Sequence, residues 1–323
     1  MQTTGFPASE QATRGRPAVA VLIPCYNEAS AIGRVVADFR AALPDATIYV
    51  YDNNSTDDTR SVAAEAGAIV RSESQQGKGY VVRRMFADVE ADVYLLVDGD
   101  ATYDATTAPK MISELQSGPL DMVNGARVSD ADVKHRPGHR FGNRLLSGLV
   151  AWIFGDRFKD MLSGYKVFSR RYVKSFPALS SGFEIETELT VHALELGMPV
   201  AEVPTPYAER ALGSESKLST VRDGLRILKT IGVFIKEERP MQFFSLLAGL
   251  LAAVSLILAW PILTTYLATG LVPRLPTAIL ATGLMLIAAL SFTAGLILDT
   301  VTRGRREAKR MRYLGVSAAR GGE

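Results

Sequence analysis

LLVDGDATYD, residues 95–104, decides how this chain is read. An apolar run with the look of a buried strand stops at Asp98, and Asp100 and Asp104 follow at once. Side chains alternate along an extended segment, so Asp98 and Asp100 are expected on one side, with Gly99 skipped. Carboxylates placed together repel unless a cation lies between them, and a few carboxylate oxygens with water and phosphate suit Mg²⁺ or Mn²⁺. Asp-Gly-Asp is also an ordinary turn sequence, so its meaning depends on its neighbours.

Outward from this stretch, apolar strands alternate with helical patterns. The strands are expected at 19–24, 46–52, 68–72, 92–98 and 121–126, the helices at 31–43, 59–67 and 79–91. Such alternation predicts an α/β fold with a mostly parallel sheet covered by helices on both faces. Ligands of such sheets bind at the carboxyl ends of the strands. There the sequence has CYNEAS (25–30), DNNSTDDT (52–59) and DGDATYD (98–104), which should converge on one crevice. The turn Pro24-Cys25-Tyr26-Asn27-Glu28 contains no glycine, which excludes a dinucleotide fingerprint, and Gln76-Gly77-Lys78-Gly79 lacks the spacing of a phosphate-cradling loop. Without a backbone nest, bound phosphates need another counterion, and a carboxylate-held divalent metal can supply it.

The chain has 323 residues, 47% of them hydrophobic, enough for a substantial core, and a net charge of +2 argues against nucleic acid as a partner. Cys25 is the single cysteine, so no internal disulfide forms, and a buried thiol in a reducing compartment is expected. Residues 1–17 are polar, lack a signal-peptide core and read as a disordered leader. The uncharged segments 243–266 and 277–298 each reach the ~20 residues that cross a bilayer. Pro261 predicts a kink in the first. Arg226, Lys229, Lys236 and Arg239 precede the pair and Arg303, Arg305, Arg306, Lys309, Arg310 and Arg312 follow it, while the connecting loop holds only Arg274. The positive-inside rule then puts both flanks in the cytoplasm. The expected layout is a leader (1–17), a cytoplasmic catalytic domain (18–218), an amphipathic interfacial helix (219–240), two transmembrane helices (241–299) and a basic tail (300–323). Residues 141–155 read equally as a second interfacial helix or a core helix.

The constellation is more specific than its parts. IPCYNEA (23–29), YDNNSTDDT (51–59), QGKGYVVRRM (76–85), LLVDGDATYD, DMLSGYKVFSRR (160–171), GFEIETELTVHALELGMPVAEVPTPYAERALGSESKLS (182–219) and the terminal hairpin together resemble the inverting family 2 glycosyltransferases. The likeness is greatest to the dolichyl-phosphate mannosyltransferase and polyprenyl-phosphate glycosyltransferase branch, over about 18–298. It implies a GT-A-type nucleotide-sugar domain in which Pro24, Tyr26, Glu28 and Asp52 contact the nucleotide and the 53–59 loop supports them. Asp98 and Asp100 would hold Mg²⁺ or Mn²⁺ and the diphosphate. The chain departs from the pattern at Asn53, where relatives commonly have a second aspartate, and at Thr102, where they often have a glutamine metal ligand. Thr102 or Asp104 would then complete the metal site, and Asn53 and Lys78 the nucleotide side. Lys78 reads equally as a solvated charge.

The resemblance also implies a single displacement at the anomeric carbon, from a nucleoside-diphosphate sugar to a polyprenyl phosphate in the cytoplasmic membrane. A phosphate monoester with a second pKa near ~6 is already anionic at neutral pH and needs no general base. Positive charge is needed instead. Arg136, Arg140, Arg144 and Lys166 are candidates, and Arg127, Arg210 and Lys217 are preferred because they fall in matching motifs. Asp160 is expected to orient a basic residue or the sugar, and reads equally as a simple turn residue. Asp57 reads as a helix cap, and His135 and His139, with Pro137 between them, do not form a metalloprotease pair. Two other readings stand beside this one: a processive polysaccharide synthase, which would carry a Gln-x-x-Arg-Trp motif absent here, and a non-catalytic tethered nucleotide-binding protein. The sugar, the base, the isoprenoid and whether the chain forms a homo-oligomer stay open.

Overall fold

The computed structural model describes residues 17–128, 160–179, 182, 184–208, 236 and 239–317. They belong to two compact units, one of 1–217 with 309–323 and the other of 218–308.

In the first unit the chain runs β1 (Val19–Cys25), α1 (Ala29–Ala42), β2 (Thr47–Asp52), α2 (Thr59–Glu65), β3 (Ile69–Ser72), α3 (Lys78–Asp88), β4 (Val93–Leu96), a 3-10 turn (Ala105–Thr107), α4 (Ala108–Ser117), β5 (Met122–Val128), β6 (Lys166–Ser169), α5 (Arg170–Ser175), α6 (Ile185–Leu196) and β7 (Val200–Pro206). The described strands form one sheet in the order β3-β2-β1-β4-β6-β5-β7. Ala20 to Ile23 on β1 and all of β4 are buried, which a central strand covered on both faces requires. On α1, Ile32, Val35, Val36 and Phe39 recur at helical spacing, and the Phe39 ring meets the edge of Tyr165 in the core.

The five expected strands and three expected helices form, and the sheet is mostly parallel, with one reversed strand. β1, β2, β3 and β4 are mutually parallel. β6 lies between β4 and β5 and runs antiparallel to both. A four-residue strand that opens on a lysine has too little alternation to be read from sequence. Its direction matters for the site. Residues 160–165, which precede a reversed strand, arrive at the edge where β4 and β5 end. β4 stops at Leu96, two residues short of the expected end, and Asp98 to Ala101 leave the sheet through a bend in which Ala101 takes φ 56°. Strand alternation therefore does not govern Asp98 and Asp100. The bend does, and Gly99 allows it, since a Cβ there would come within 2.6 Å of Cys25 Sγ.

The second unit contains α7 (Pro240–Thr269) and the start of α8 (Leu275–Leu314), 30 and 40 residues long. At 1.5 Å per residue these reach about 45 and 60 Å, and each has an apolar stretch long enough to cross a bilayer. α7 continues through Pro261. The connection is shorter than expected, five residues, Gly270 to Arg274, with Gly270 at φ 68° closing α7. Small residues line the contact between the two helices: Ala248, Ser255, Ala281, Ala288 and Gly295 are buried, and Ser255 Oγ donates to Ala281 O at 2.7 Å. Leu, Ile and Trp side chains such as Leu250, Ile257, Trp260, Ile279 and Leu290 are exposed, consistent with membrane association. α8 runs on through the basic residues after 300 to Leu314.

Candidate active site

The turns after β1 and β2 are sewn together. Asn27, at φ 55°, donates its N–H to Ser55 Oγ, and its Oδ1 accepts from Thr56 N at 2.8 Å. Glu28 N donates to Thr59 Oγ1, and Asn53 N to Cys25 O. Asp57 was expected as a cap for one helix; it serves two. Its Oδ1 accepts from Thr59 N at the start of α2, and its Oδ2 from Ala29 N at the start of α1. Burial pushes the Asp57 pKa up, but the hydrogen bonds from Thr59 and Ala29 outweigh it and hold the carboxyl below its usual range. Pro24, Tyr26 and Glu28 lie half-buried around this junction, and Asp52 is buried at the end of β2 with its carboxylate accepting from Ser55 N.

Asn53 binds the next loop to the same junction. Its Nδ2 donates to Glu73 O and Gln75 O, and its Oδ1 accepts from Gly77 N at 2.7 Å. Both amide hydrogens are committed within the protein, so the side chain shapes the loop and is not turned toward a ligand. Gly77 takes φ 141°, a conformation that favours glycine, and starts α3. Gly79 lies within the helix. Lys78, the first residue of α3, is not a solvated charge. Its Nζ is 2.5 Å from Asp98 Oδ1 and 2.6 Å from Glu186 Oε1, with 9% of the side chain exposed. Burial alone would lower the lysine pKa; Asp98 and Glu186 more than offset it and keep the ammonium well above its usual range.

At the end of β4, Asp100 is buried and its Oδ1 accepts from Thr102 Oγ1 at 2.6 Å. Thr102 was expected as a third metal ligand. It is 1% exposed and its hydroxyl is engaged as a donor to Asp100, so it orients that aspartate instead. Asp104, the other substitute, accepts from Thr106 N and Thr106 Oγ1 and caps the 3-10 turn. Tyr103 OH accepts from Gly164 N at 2.8 Å, and a Cβ on Gly164 would collide with the Asp98 carboxylate. The segment before β6 is thus packed directly against Asp98.

Two further carboxylates organise the end of β5. Arg127 donates from Nε to Asp160 Oδ2 at 2.7 Å and from Nη2 to Asp160 Oδ1 at 2.8 Å, and its guanidinium lies 5.5 Å from the Tyr207 ring centre. Burial pushes the Asp160 pKa up, but Arg127 wins and holds it below the carboxylate range. Asp160 is thus paired with a basic residue in this structure. Below the pair, Glu202 Oε1 accepts from Asn124 Nδ2 and Asp160 N, and the 1% exposed Lys166 donates to Asn124 Oδ1 at 2.6 Å. Burial lowers the Lys166 pKa to about 8.

The residues fit a divalent cation. Burial first, then the neighbouring Glu186 and Asp100 charges, push the Asp98 pKa up against the pull of Lys78, whose ammonium already sits at Asp98 where a cation would. Carboxylate oxygen is the donor that Mg²⁺ and Mn²⁺ prefer. Arg210 and Lys217, with Arg136, Arg140 and Arg144, lie outside the described residues. Sequence reasoning missed Glu186, Tyr103 and Gly164. The clustered acids of GFEIETEL were the available signal for Glu186; for the other two there was none beyond their motifs.

The profile described as Glycosyl transferase family 2 matches residues 20–174. Glycosyltransferase AglJ of Haloferax volcanii is 40% identical over 233 residues, covering 70% of this chain and 75% of the relative. This chain belongs to glycosyltransferase family 2. A second relative of this family 2 enzyme, the dolichyl-phosphate hexose transferase of the same organism, is 29% identical over 221 residues, 68% of this chain and 95% of that one. Glucosyl-3-phosphoglycerate synthase from Mycobacterium tuberculosis, crystallised with Mn²⁺, uridine diphosphate and phosphoglyceric acid, superposes with a TM-score of 0.57 at 21% identity, over 68% of this chain and 78% of that one. At that identity the likeness shows the GT-A-like α/β fold.

Proposed function

We propose that this glycosyltransferase moves a hexose from a nucleoside-diphosphate sugar to a polyprenyl phosphate in the cytoplasmic membrane, with inversion and with a divalent metal. The observation that carries the reading is the gathering, at one sheet edge, of Asp98, Asp100 and Lys78 after β4 and β3 with the Arg127–Asp160 pair at the end of β5. One group of charges suits a departing diphosphate, the other an incoming anion. The two apolar helices and the likeness to a dolichyl-phosphate hexose transferase support a lipid acceptor.

The sewn turns of Asn27, Asp52 and Asn53 give the nucleotide a rigid seat, so little ordering cost falls on binding. Asp98 and Asp100 would hold Mg²⁺ or Mn²⁺, which when bound supplies Lewis-acid stabilisation to the leaving diphosphate. Lys78 adds a positive charge near the same oxygens. Arg127, its fork set by Asp160, presents planar donors suited to a phosphate. Arg210 and Lys217 are proposed as further acceptor contacts. The basic residues flanking the hairpin support a cytoplasmic orientation for both ends.

The test supplies purified full-length protein with labelled nucleotide sugars, polyprenyl phosphate and Mn²⁺ or Mg²⁺. A charged glycolipid product is expected. Polymer would favour the synthase reading, and nucleotide binding without turnover the non-catalytic one.

A further inference from the structure

Lys78 and Glu186 meet across 108 residues of sequence, and Asp98 completes the group. The ammonium bridges the two carboxylates, at 2.5 Å and 2.6 Å, and is nearly enclosed. Asp98 is also a proposed metal ligand, so two cations have claims on one carboxylate.

Without a cation, Glu186 and Asp100 would each bear on Asp98 as like charges at a partly enclosed carboxylate, an unfavourable arrangement. Lys78 removes that cost in the metal-free protein. A buried ammonium deprived of Asp98 would itself be costly, yet Glu186 already holds it from the other side and would keep it paired. The helix geometry fits such a sideways transfer. Lys78 opens α3 at Gly77, whose N–H is pinned by Asn53, so the backbone stays fixed while the flexible four-carbon stem moves.

We propose that Lys78 is a built-in counter-cation of the metal seat, competing with the divalent ion for Asp98, and that Glu186 is the positioning residue that receives it when metal binds. The proposal rests on the metal reading given above. Its consequence is that metal affinity is held down in the absence of nucleotide.

The experiment measures Mn²⁺ binding to full-length protein by electron paramagnetic resonance of the free ion, without nucleotide and then with uridine diphosphate. Without nucleotide, Lys78→Met should bind Mn²⁺ about ten-fold more tightly than wild type, the scale of one unit charge removed at close range. Lys78→Arg, which keeps the charge, should stay within about two-fold of wild type. If Lys78→Met does not fold, Lys78→Gln, which keeps a hydrogen-bond donor without charge, carries the same expectation. Equal or weaker binding by the uncharged variants, with Mn²⁺ still bound by wild type, overturns the lysine proposal alone. No Mn²⁺ binding by any of these proteins, even with uridine diphosphate, overturns the metal reading and this proposal together.

Discussion

Arg127 and Asp160 face each other fork to fork, with parallel hydrogen bonds of 2.7 Å and 2.8 Å, and Arg127 N donates to the same carboxylate at 3.1 Å. One acid thus fixes both the backbone and the guanidinium at the end of β5. Asp160→Asn keeps the shape but removes the charge and one acceptor. Because Arg127 retains 29% exposure, the loss should fall below the ~3–5 kcal/mol of fully buried pairs, at about 2–3 kcal/mol. Thermal unfolding of the single and double variants with Arg127→Met measures it. A coupling energy near zero would mean that the pair does not hold the strand end.

Gly164 has no room for a side chain. Its Cβ would strike the Asp98 carboxylate, while its N–H is held by Tyr103 OH. Gly164→Ala should therefore move Asp98 and lower turnover about 100-fold, the usual cost of an ångström of misplacement at a reacting centre. Steady-state assays decide this, and activity within a few-fold of wild type would dissociate Asp98's position from catalysis.

Thr102 acts on Asp100 through one hydrogen bond. Thr102→Val preserves shape and removes the donor, so Mn²⁺ affinity should weaken about ten-fold, as losses of second-layer hydrogen bonds to metal ligands do. Titration with the ion reads the change directly. Unaltered affinity would leave Thr102 a purely structural role.

His192 sets an acid limit on stability. Buried among Tyr172 and Phe176, with Nε2 3.1 Å from Ser175 Oγ, its pKa is lowered to about 3 by burial first and by Lys309 second. The unfolded histidine takes a proton near pH 6.5 and the folded one only near 3, so the unfolded state binds more protons in that window. Stability is then full above pH 6.5 and is lost as pH falls toward 3. Between pH 7.5 and 5.0 the histidine alone should cost about 2 kcal/mol. His192→Phe should lose that share of the pH dependence in thermal melts, and identical slopes in the two proteins would refute it.

How much of the site was legible depends on how each residue is held. Asp98 and Asp100 stood out because strand ends of an alternating α/β chain are recognisable from local pattern, whereas Asp52 and Arg127 were picked out through the family resemblance. Asn53 and Thr102 stood out as departures, but their roles were hidden: the first holds Gly77 and two backbone carbonyls, the second an aspartate. The Lys78–Glu186 contact was not readable, since nothing in QGKG announces a partner 108 residues away.

By itself the sequence determined the alternation of strand and helix, the acidic strand ends, the lone buried cysteine and the two apolar helices, because these follow from side-chain periodicity and hydrophobic length within a short window. Tertiary structure alone decided that β6 enters the sheet reversed between β4 and β5, that Gly164 abuts Asp98, that Asp57 caps two helices and that Lys78 stands between two acids. Those outcomes depend on which distant segments share one desolvated space. That is a property of the packed sheet as a whole and not of any local run of residues.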